Sequence, residues 1–94
     1  MPTVFAVTRL RVPDGAEGFA GAVAALLAAL SSRPGFREGH VGEAAEEPGL
    51  WALVTVWDGV GAYRRALSAA EVKIAGAPVW VHAVDESGVF LPPS

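Results

Sequence analysis

Cysteine is absent from this 94-residue sequence, which excludes disulfide bonds, thiolate nucleophiles and thiolate-ligated metal ions. Basic residues are few and scattered, and Arg64-Arg65 is the only adjacent basic pair. Because the net charge is −3 and no basic cluster exists, nucleic acid is not an expected partner. Charged residues make up only 18% of the chain, whereas 52% of the residues are hydrophobic. A monomer of this size cannot bury that many apolar side chains, so some of them are expected at its surface. We therefore expect self-association.

Long apolar segments are also missing. The longest weakly polar run, Phe19 to Leu30, is too short to span a bilayer. The first residues, MPTVFAVTRLRV, lack the basic start of a signal peptide. We expect no membrane partner, a cytoplasmic location and a single domain over residues 1–94. The sequence contains no serine-hydrolase elbow, P-loop or dinucleotide motif, and no spacing of His and carboxylates that resembles a metal site.

Runs of β-branched and aromatic residues between turn signals predict the strands. The predicted strands are Thr3–Val12, Phe36–Ala45, Leu50–Trp57 and Val79–Val84, with a short extended tail at Val89–Leu91. The strand Leu50–Trp57 is apolar on both faces, which predicts that both faces are covered.

Helical spacing of apolar residues predicts two helices between these strands. The first carries a stripe of Phe19, Val23, Leu26, Leu27 and Leu30 after an N-cap at Asp14, with Glu17 completing a capping box. The second follows a cap at Asp58, restarts at Ser68-Ala69-Ala70-Glu71 and is closed by Gly76 and Pro78.

The resulting β-α-β-β-α-β order is the ferredoxin-like arrangement, an α+β fold in which one antiparallel sheet carries both helices on one face. The other face needs a cover, and a second copy of the same sheet is the simplest one, so we predict a homodimer. RNA-recognition domains share this element order, but they need a basic and aromatic consensus on the third strand. The segment LWALVTVWD contains no Arg or Lys, which makes an RNA partner improbable.

The segment from Leu50 to Leu67 offers the clearest candidate site. Side chains alternate along a strand, so Trp51, Leu53, Thr55 and Trp57 share one face. A strand that ends in an indole, next to a helix that carries the phenol of Tyr63, can line an aromatic pocket. The alternative is that these aromatics are ordinary core residues.

Three local patterns resemble the antibiotic biosynthesis monooxygenase (ABM) family of dimeric α+β barrels. They are the turn Arg33-Pro34-Gly35-Phe36, the strand ending in Trp57, and the helix entry DGVGAY over residues 58–63. The resemblance implies a homodimer whose sheets face each other and a pocket between sheet and helices. It also implies oxidoreductase chemistry, since several members oxidise polyphenolic or quinol-like molecules with O2 and without metal or flavin, whereas others bind and degrade haem.

On this resemblance the chain is expected to be a cofactor-independent monooxygenase acting on an aromatic polyketide or quinol-type small molecule. Two positions depart from the family pattern. Leu53 stands where cofactor-free members have Asn, and Ala66 stands before Leu67 where many relatives have His. The absence of a helix His argues against haem, so no cofactor is expected. Both departures favour the alternative of a non-catalytic dimer that binds a small apolar ligand or serves as an accessory protein.

The candidate catalytic residues are Trp57, Tyr63 and His82. Trp57 matches the strand-end Trp of the family and is expected to stack on the substrate and donate its indole N–H. Tyr63 is expected to hydrogen-bond a substrate oxygen, and His82, on the predicted fourth strand with Trp80, is a candidate general base. The remaining pocket residues are predicted to be Trp51, Leu53, His40 and Phe19. Arg9 and Arg11 are candidates either for binding an anionic substrate or for dimer salt bridges.

Overall fold

The computed structural model describes residues 3–93. The elements are β1 (Val4–Arg11), α1 (Phe19–Ser31), β2 (Phe36–Glu43), β3 (Leu50–Trp57), α2 (Val60–Ser68), α3 (Ala70–Trp80) and β4 (Val89–Phe90). The predicted domain over 1–94 includes residues 1, 2 and 94, which lie outside the described part, and the single-domain assignment stays a prediction. No helix within residues 3–93 combines the length and apolarity that crossing a bilayer requires.

The four strands form one antiparallel sheet in the order β2-β3-β1-β4, which confirms the ferredoxin-like prediction. Strands β1 and β3 pair along their whole length, with Val4 opposite Trp57 and Arg11 opposite Leu50. The short β4 pairs with the other edge of β1, where Phe90 lies opposite Phe5. The end of β3 that carries Trp57 therefore lies in the middle of the sheet, between β1 and β2.

One face of the sheet packs against the helices and forms the core. Because side chains alternate along a strand, every second residue of β1 and β3 points to this face. The buried sheet residues are Val4, Ala6, Leu10, Leu53, Thr55 and Trp57, and the helices bury Phe19, Val23, Leu26, Leu30, Ala62, Ala66, Val72 and Val79 against them. Four of the five residues of the predicted α1 stripe are among these, since Leu27 is only partly buried.

The opposite face of the sheet is only partly covered within one chain. Its centre is the outward row of β3, in which Val54 and Val56 are half-buried. Phe5 on β1 and Phe90 on β4 lie side by side there, with 39% and 47% of their surfaces exposed. The prediction that both faces of β3 are covered therefore holds for one face within the chain. The opposite face, called the open face below, is available for a partner.

The predicted strand Val79–Val84 is wrong. Residues up to Trp80 belong to α3, which continues through Pro78, and β4 forms instead within the predicted extended tail. Trp80 packs over Gly76 one turn earlier, where any Cβ would clash with the indole Nε1. This contact and the complete burial of Val79 stabilise the helix beyond the proline.

The predicted helix caps are also wrong in detail. Gly18 and Gly59 precede α1 and α2, and neither helix has a side-chain cap from Asp14 or Asp58. Asp58 instead accepts a hydrogen bond from Arg37. The predicted restart is confirmed, since α2 ends at Ser68 and α3 begins at Ala70, although no side chain caps α3.

Candidate active site

A bulge next to β1 opens a cavity at the edge of the sheet. The Val84 N–H donates to the Arg9 carbonyl at 2.9 Å, and the Val7 N–H donates to the Gly88 carbonyl at 2.6 Å. Between these two bonds, residues 85–87 lie opposite Thr8 alone, so the chain arches away from the strand. The arch leaves the side chain of Thr8 without a strand neighbour on that edge, and the cavity lies there.

The cavity has a volume of about 460 Å³, within the range of about 300–1,000 Å³ that is typical of small-molecule sites. Four parts of the chain supply its walls, namely β1, α2, α3 and the arch before β4. The lining residues are Val7, Thr8, Arg9, Tyr63, Leu67, Lys73, Trp80, Ala83, Val84, Glu86 and Gly88. Most of this surface is apolar, with a few polar groups that can orient a ligand.

Tyr63 is the predicted catalytic residue that reaches this cavity. Burial raises the pKa of its phenol above the ordinary value of about 10, and the Thr8 side chain, which lines the same cavity, opposes part of that shift. Tyr63 therefore keeps its proton at neutral pH. It can act as a hydrogen-bond donor to a substrate oxygen, but it is not a base under these conditions.

Trp57 lies behind Tyr63 and not at the cavity surface. Its side chain is fully buried, and its indole N–H donates to the Thr55 hydroxyl at 2.8 Å. The ring centroids of Trp57 and Tyr63 are 5.7 Å apart, and Phe36 meets Trp57 edge-on at 5.3 Å. This aromatic row holds the phenol in place. The indole N–H, which the sequence predicts to bind a substrate, is therefore already paired within the protein.

A bidentate ion pair lies at the mouth of the cavity. The Arg9 Nε and Nη2 atoms donate to the two carboxylate oxygens of Glu86 at 2.8 and 2.7 Å. Hydrogen bonding to Arg9 lowers the pKa of the Glu86 carboxyl, and the same pair raises the pKa of Arg9. The pair ties the arch to β1, and Glu86 stays ionised and a weak base at neutral pH.

Apart from Tyr63 and Arg9, the lining residues were not predicted from the sequence, but the sequence holds a usable signal for Thr8, Lys73 and Trp80. Thr8 is the one hydroxyl among the apolar residues on its face of β1, which marks it as a special position. Lys73 and Trp80 lie two helical turns apart on α3 and so share a side of it. The prediction that places Trp80 in a strand hides this relation, because it puts the two residues in different elements.

A second group of predicted residues clusters elsewhere. Phe19 meets Trp51 and His82 edge-on, with ring centroids 5.3 and 5.6 Å apart. These three do not line the cavity at Tyr63. His82 follows α3 in a turn, where its carbonyl accepts from the Arg11 N–H. The role of His82 as general base stays a prediction, and its position away from the cavity does not favour it. The same holds for the substrate-binding roles of Trp51 and Phe19.

The remaining predicted residues also lie away from the cavity. His40 is exposed on the open face of the sheet, where its Nε2 lies 2.9 Å from a carboxylate oxygen of Glu38. Leu53 is buried in the core opposite Thr8 on the neighbouring strand. Ala66, at the position where many relatives have His, is buried on α2. Within residues 3–93, His, Asp and Glu do not form a group of three or more that could hold a metal ion.

Comparison with known proteins identifies the family. A sequence model of the antibiotic biosynthesis monooxygenase family matches residues 3–77. The chain belongs to this family. No curated protein sequence matches the chain.

Solved structures of similar fold are consistent with this ABM assignment. SnoaB, a cofactor-independent oxygenase from Streptomyces nogalater, superposes with a TM-score of 0.86 at 21% identity, over 100% of this chain and 96% of SnoaB. A Chloroflexus aurantiacus protein provisionally described as an antibiotic biosynthesis monooxygenase gives a TM-score of 0.75 at 22% identity, covering 98% and 94%. Rv0793 from Mycobacterium tuberculosis gives 0.77 at 15% identity, also covering 98% and 94%.

At these identities the structural likeness establishes the fold. Family membership adds support for a monooxygenase-like function. Which reaction an ABM protein performs depends on the chemistry of its cavity.

Proposed function

We propose that this ABM protein is a cofactor-independent monooxygenase that oxidises an aromatic polyketide or quinol-type small molecule with O2. The observation that carries the proposal is the single phenol of Tyr63 in an apolar cavity, with Trp57 packed behind it and Thr8 in the same wall. A site of this kind can bind a fused aromatic ring and donate one strong hydrogen bond to its oxygen.

The substrate supplies the electrons in this chemistry. A phenolic or anthrone-type substrate loses a proton, and the electron-rich anion reacts with O2. For an anthrone, one oxygen atom replaces the two hydrogens of the CH2 group as a carbonyl, and the other oxygen leaves with those hydrogens as water. Each turnover therefore consumes one O2 and needs no added reductant.

The protein's part is to stabilise the substrate anion. Tyr63 is protonated at neutral pH, so its O–H can donate to the oxygen on which negative charge develops. No imidazole lines the cavity, whose wall residues all lie within the described part of the chain. We propose that the substrate proton passes to water at the open mouth, once the bound anion is stabilised. We also propose that the protein uses no cofactor and is located in the cytoplasm.

We also propose that the protein acts as a homodimer, with the open faces of two sheets in contact. Support comes from the apolar residues of that face, among which Phe5 and Phe90 are about half exposed, and from membership of the ABM family. A two-fold dimer would bring the apolar residues of one open face against the same residues of the partner.

Oxygen uptake tests the oxygenase proposal. Purified protein treated with a metal chelator is mixed with panels of hydroquinones and anthrones, and O2 consumption is followed. Tyr63→Phe should lower kcat/KM about 100-fold, as expected for removing one donor to a developing oxyanion. Arg64→Met, which changes an exposed neighbour outside the cavity, should leave the rate unchanged. An equal rate in wild type and Tyr63→Phe would refute the role of the phenol.

A non-catalytic ABM dimer is the second candidate. Leu53 and Ala66 favour it, because both are buried apolar residues where relatives place polar ones. This candidate predicts that aromatic ligands bind in the cavity and that no substrate in the panels causes O2 uptake above the rate in buffer. Equilibrium binding combined with the uptake assay separates the two functions.

A further inference from the structure

Lys73 is the one lysine in the chain, and no acidic side chain within residues 3–93 forms a salt bridge with it. It lies on α3 and lines the cavity. Its helical neighbours one turn away are Ala69, Ala70, Gly76 and Ala77, none of which can pair with an ammonium group. Among residues 3–93, the salt bridges of the protein all use Arg or His as the cation. The ammonium group is therefore free to bind a ligand.

The other two charged residues of the cavity wall cancel each other. Arg9 and Glu86 form two hydrogen bonds between a guanidinium and a carboxylate, which satisfies the charge of both. Lys73 thus gives the cavity a net positive charge, although the whole chain carries −3. Attraction of an anion to this cavity has to be local, because the overall charge of the protein repels anions.

The apolar part of the cavity begins next to Lys73. Trp80 lies two turns further along the same side of α3, about 10 Å away at 1.5 Å per residue. Leu67 and Tyr63 of α2 complete the wall on that side. An aromatic ring system can lie against this wall and direct a charged substituent to the ammonium group at its end.

We propose that the substrate of this protein carries a carboxylate that binds Lys73 while its aromatic rings occupy the apolar cavity next to Tyr63. The inference rests on the proposed function only in taking this cavity as the substrate site. Lys73 then determines specificity, because it selects aromatic acids over neutral aromatics of the same shape. It touches a substituent of the substrate and not the carbon that is oxidised.

Two probes of equal shape test the inference by binding alone. Naphthoate carries the carboxylate, and naphthamide replaces it with a neutral amide. Calorimetry should show naphthoate binding about tenfold tighter than naphthamide to the wild type, as expected for a charge-assisted hydrogen bond at an open cavity. The preference should disappear in Lys73→Met and largely return in Lys73→Arg. Arg64→Met removes the same unit of charge outside the cavity and should keep it.

The single lysine also permits a direct readout of the site. Reductive methylation with labelled formaldehyde keeps the charge and marks only Lys73 and the N-terminal amine. Naphthoate should shift the Lys73 NMR signal with the same saturation curve that calorimetry gives. Equal affinity for both probes, binding of neither, or a preference that survives in Lys73→Met would overturn the inference.

Failure of this inference can be told apart from failure of the oxygenase proposal. A naphthoate preference that depends on Lys73, in a protein that consumes no O2 with any substrate, supports the carboxylate site and rejects the enzyme. Oxygen uptake that depends on Tyr63, without any preference between the probes, does the opposite.

Discussion

At the scale of single residues, the proposed chemistry depends on the protonation of Tyr63. It is the one tyrosine of the chain, so the absorbance of tyrosinate reports on it alone. Because burial disfavours the charged phenolate, the apparent pKa in the folded protein should lie above about 10. Thr8 opposes this shift, so Thr8→Val should raise the pKa further. A folded-state pKa at or below that of the urea-unfolded chain would contradict the buried phenol.

The same shift predicts how stability depends on pH at the alkaline end. A raised pKa means that the unfolded chain loses this proton first. The contribution of Tyr63 is therefore fully present below about pH 10 and is lost as the pH rises through the folded-state pKa. In the neutral range, titration of Tyr63 should therefore cause neither stability nor activity to depend on pH.

The buried pair of Trp57 and Thr55 makes a separate prediction. Thr55→Val removes the acceptor of the indole N–H and leaves that donor unpaired in the core, at a cost of about 1–3 kcal/mol in the free energy of unfolding. The double variant with Trp57→Phe should lose less than the sum of the two single losses, which urea unfolding can measure. Additive losses would mean that the two side chains do not interact. Trp57→Ala is a poor test of catalysis, because a fully buried indole cannot be removed without damaging the core.

The neighbourhood of Trp57 and Tyr63 was predictable from the sequence, whereas their separate roles were not. Strand alternation and helix spacing place the two rings together, and they lie 5.7 Å apart. Tyr63 lines the cavity, whereas Trp57 donates its indole N–H to the Thr55 hydroxyl inside the core. No local pattern reveals that a strand hydroxyl two residues earlier is the acceptor.

At the scale of elements, α3 marks the limit of sequence-based prediction. Pro78 and the β-branched run after it indicate the end of a helix, and that local preference is real. Packing outweighs it, because Trp80 fits over Gly76 and Val79 is buried against the core. Pro78 cannot donate to the Ile74 carbonyl, but Ile74 lies on the exposed side of α3, where water can replace the bond. By contrast, β3 is apolar and uninterrupted, and its predicted limits match the structure.

The turn before β2 controls the position of α2. Gly35 has a φ of +89°, and its carbonyl accepts the Asp58 N–H at 2.8 Å. In Gly35→Ala the new Cβ would lie 2.5 Å from the Ala62 Cβ, next to Tyr63. The strained backbone and this contact should lower the free energy of unfolding by about 1–3 kcal/mol. Ligand affinity in the cavity should fall as well, since α2 has to shift.

A glycine elsewhere in the chain supplies the matched control. Gly21 lies within α1, has ordinary helical backbone angles, and a Cβ there would meet no atom within 4 Å. Gly21→Ala should therefore raise the free energy of unfolding by about 0.5–1 kcal/mol. Equal effects of the two substitutions in chemical unfolding would show that the turn at Gly35 is not tightly packed.

At the scale of the whole molecule, the open face of the sheet predicts a dimer. Val54 is at the centre of this face on β3, so Val54→Glu would bury an unpaired charge in a two-fold interface. Light scattering should show a dimer for the wild type and a monomer for this variant. Ile74→Glu places the same charge on an exposed side of α3 and should leave the dimer intact. A wild-type monomer at micromolar concentration would contradict the prediction.

We propose that the cavity at Tyr63 directs O2 into a bound aromatic substrate without a cofactor. The decisive measurement is turnover under isotopically labelled O2, with protein free of metal and flavin. We expect one labelled oxygen atom in each product molecule and one in water, with labelling about 100-fold slower in Tyr63→Phe. Unlabelled product, or labelling that proceeds equally fast without the protein, would contradict it.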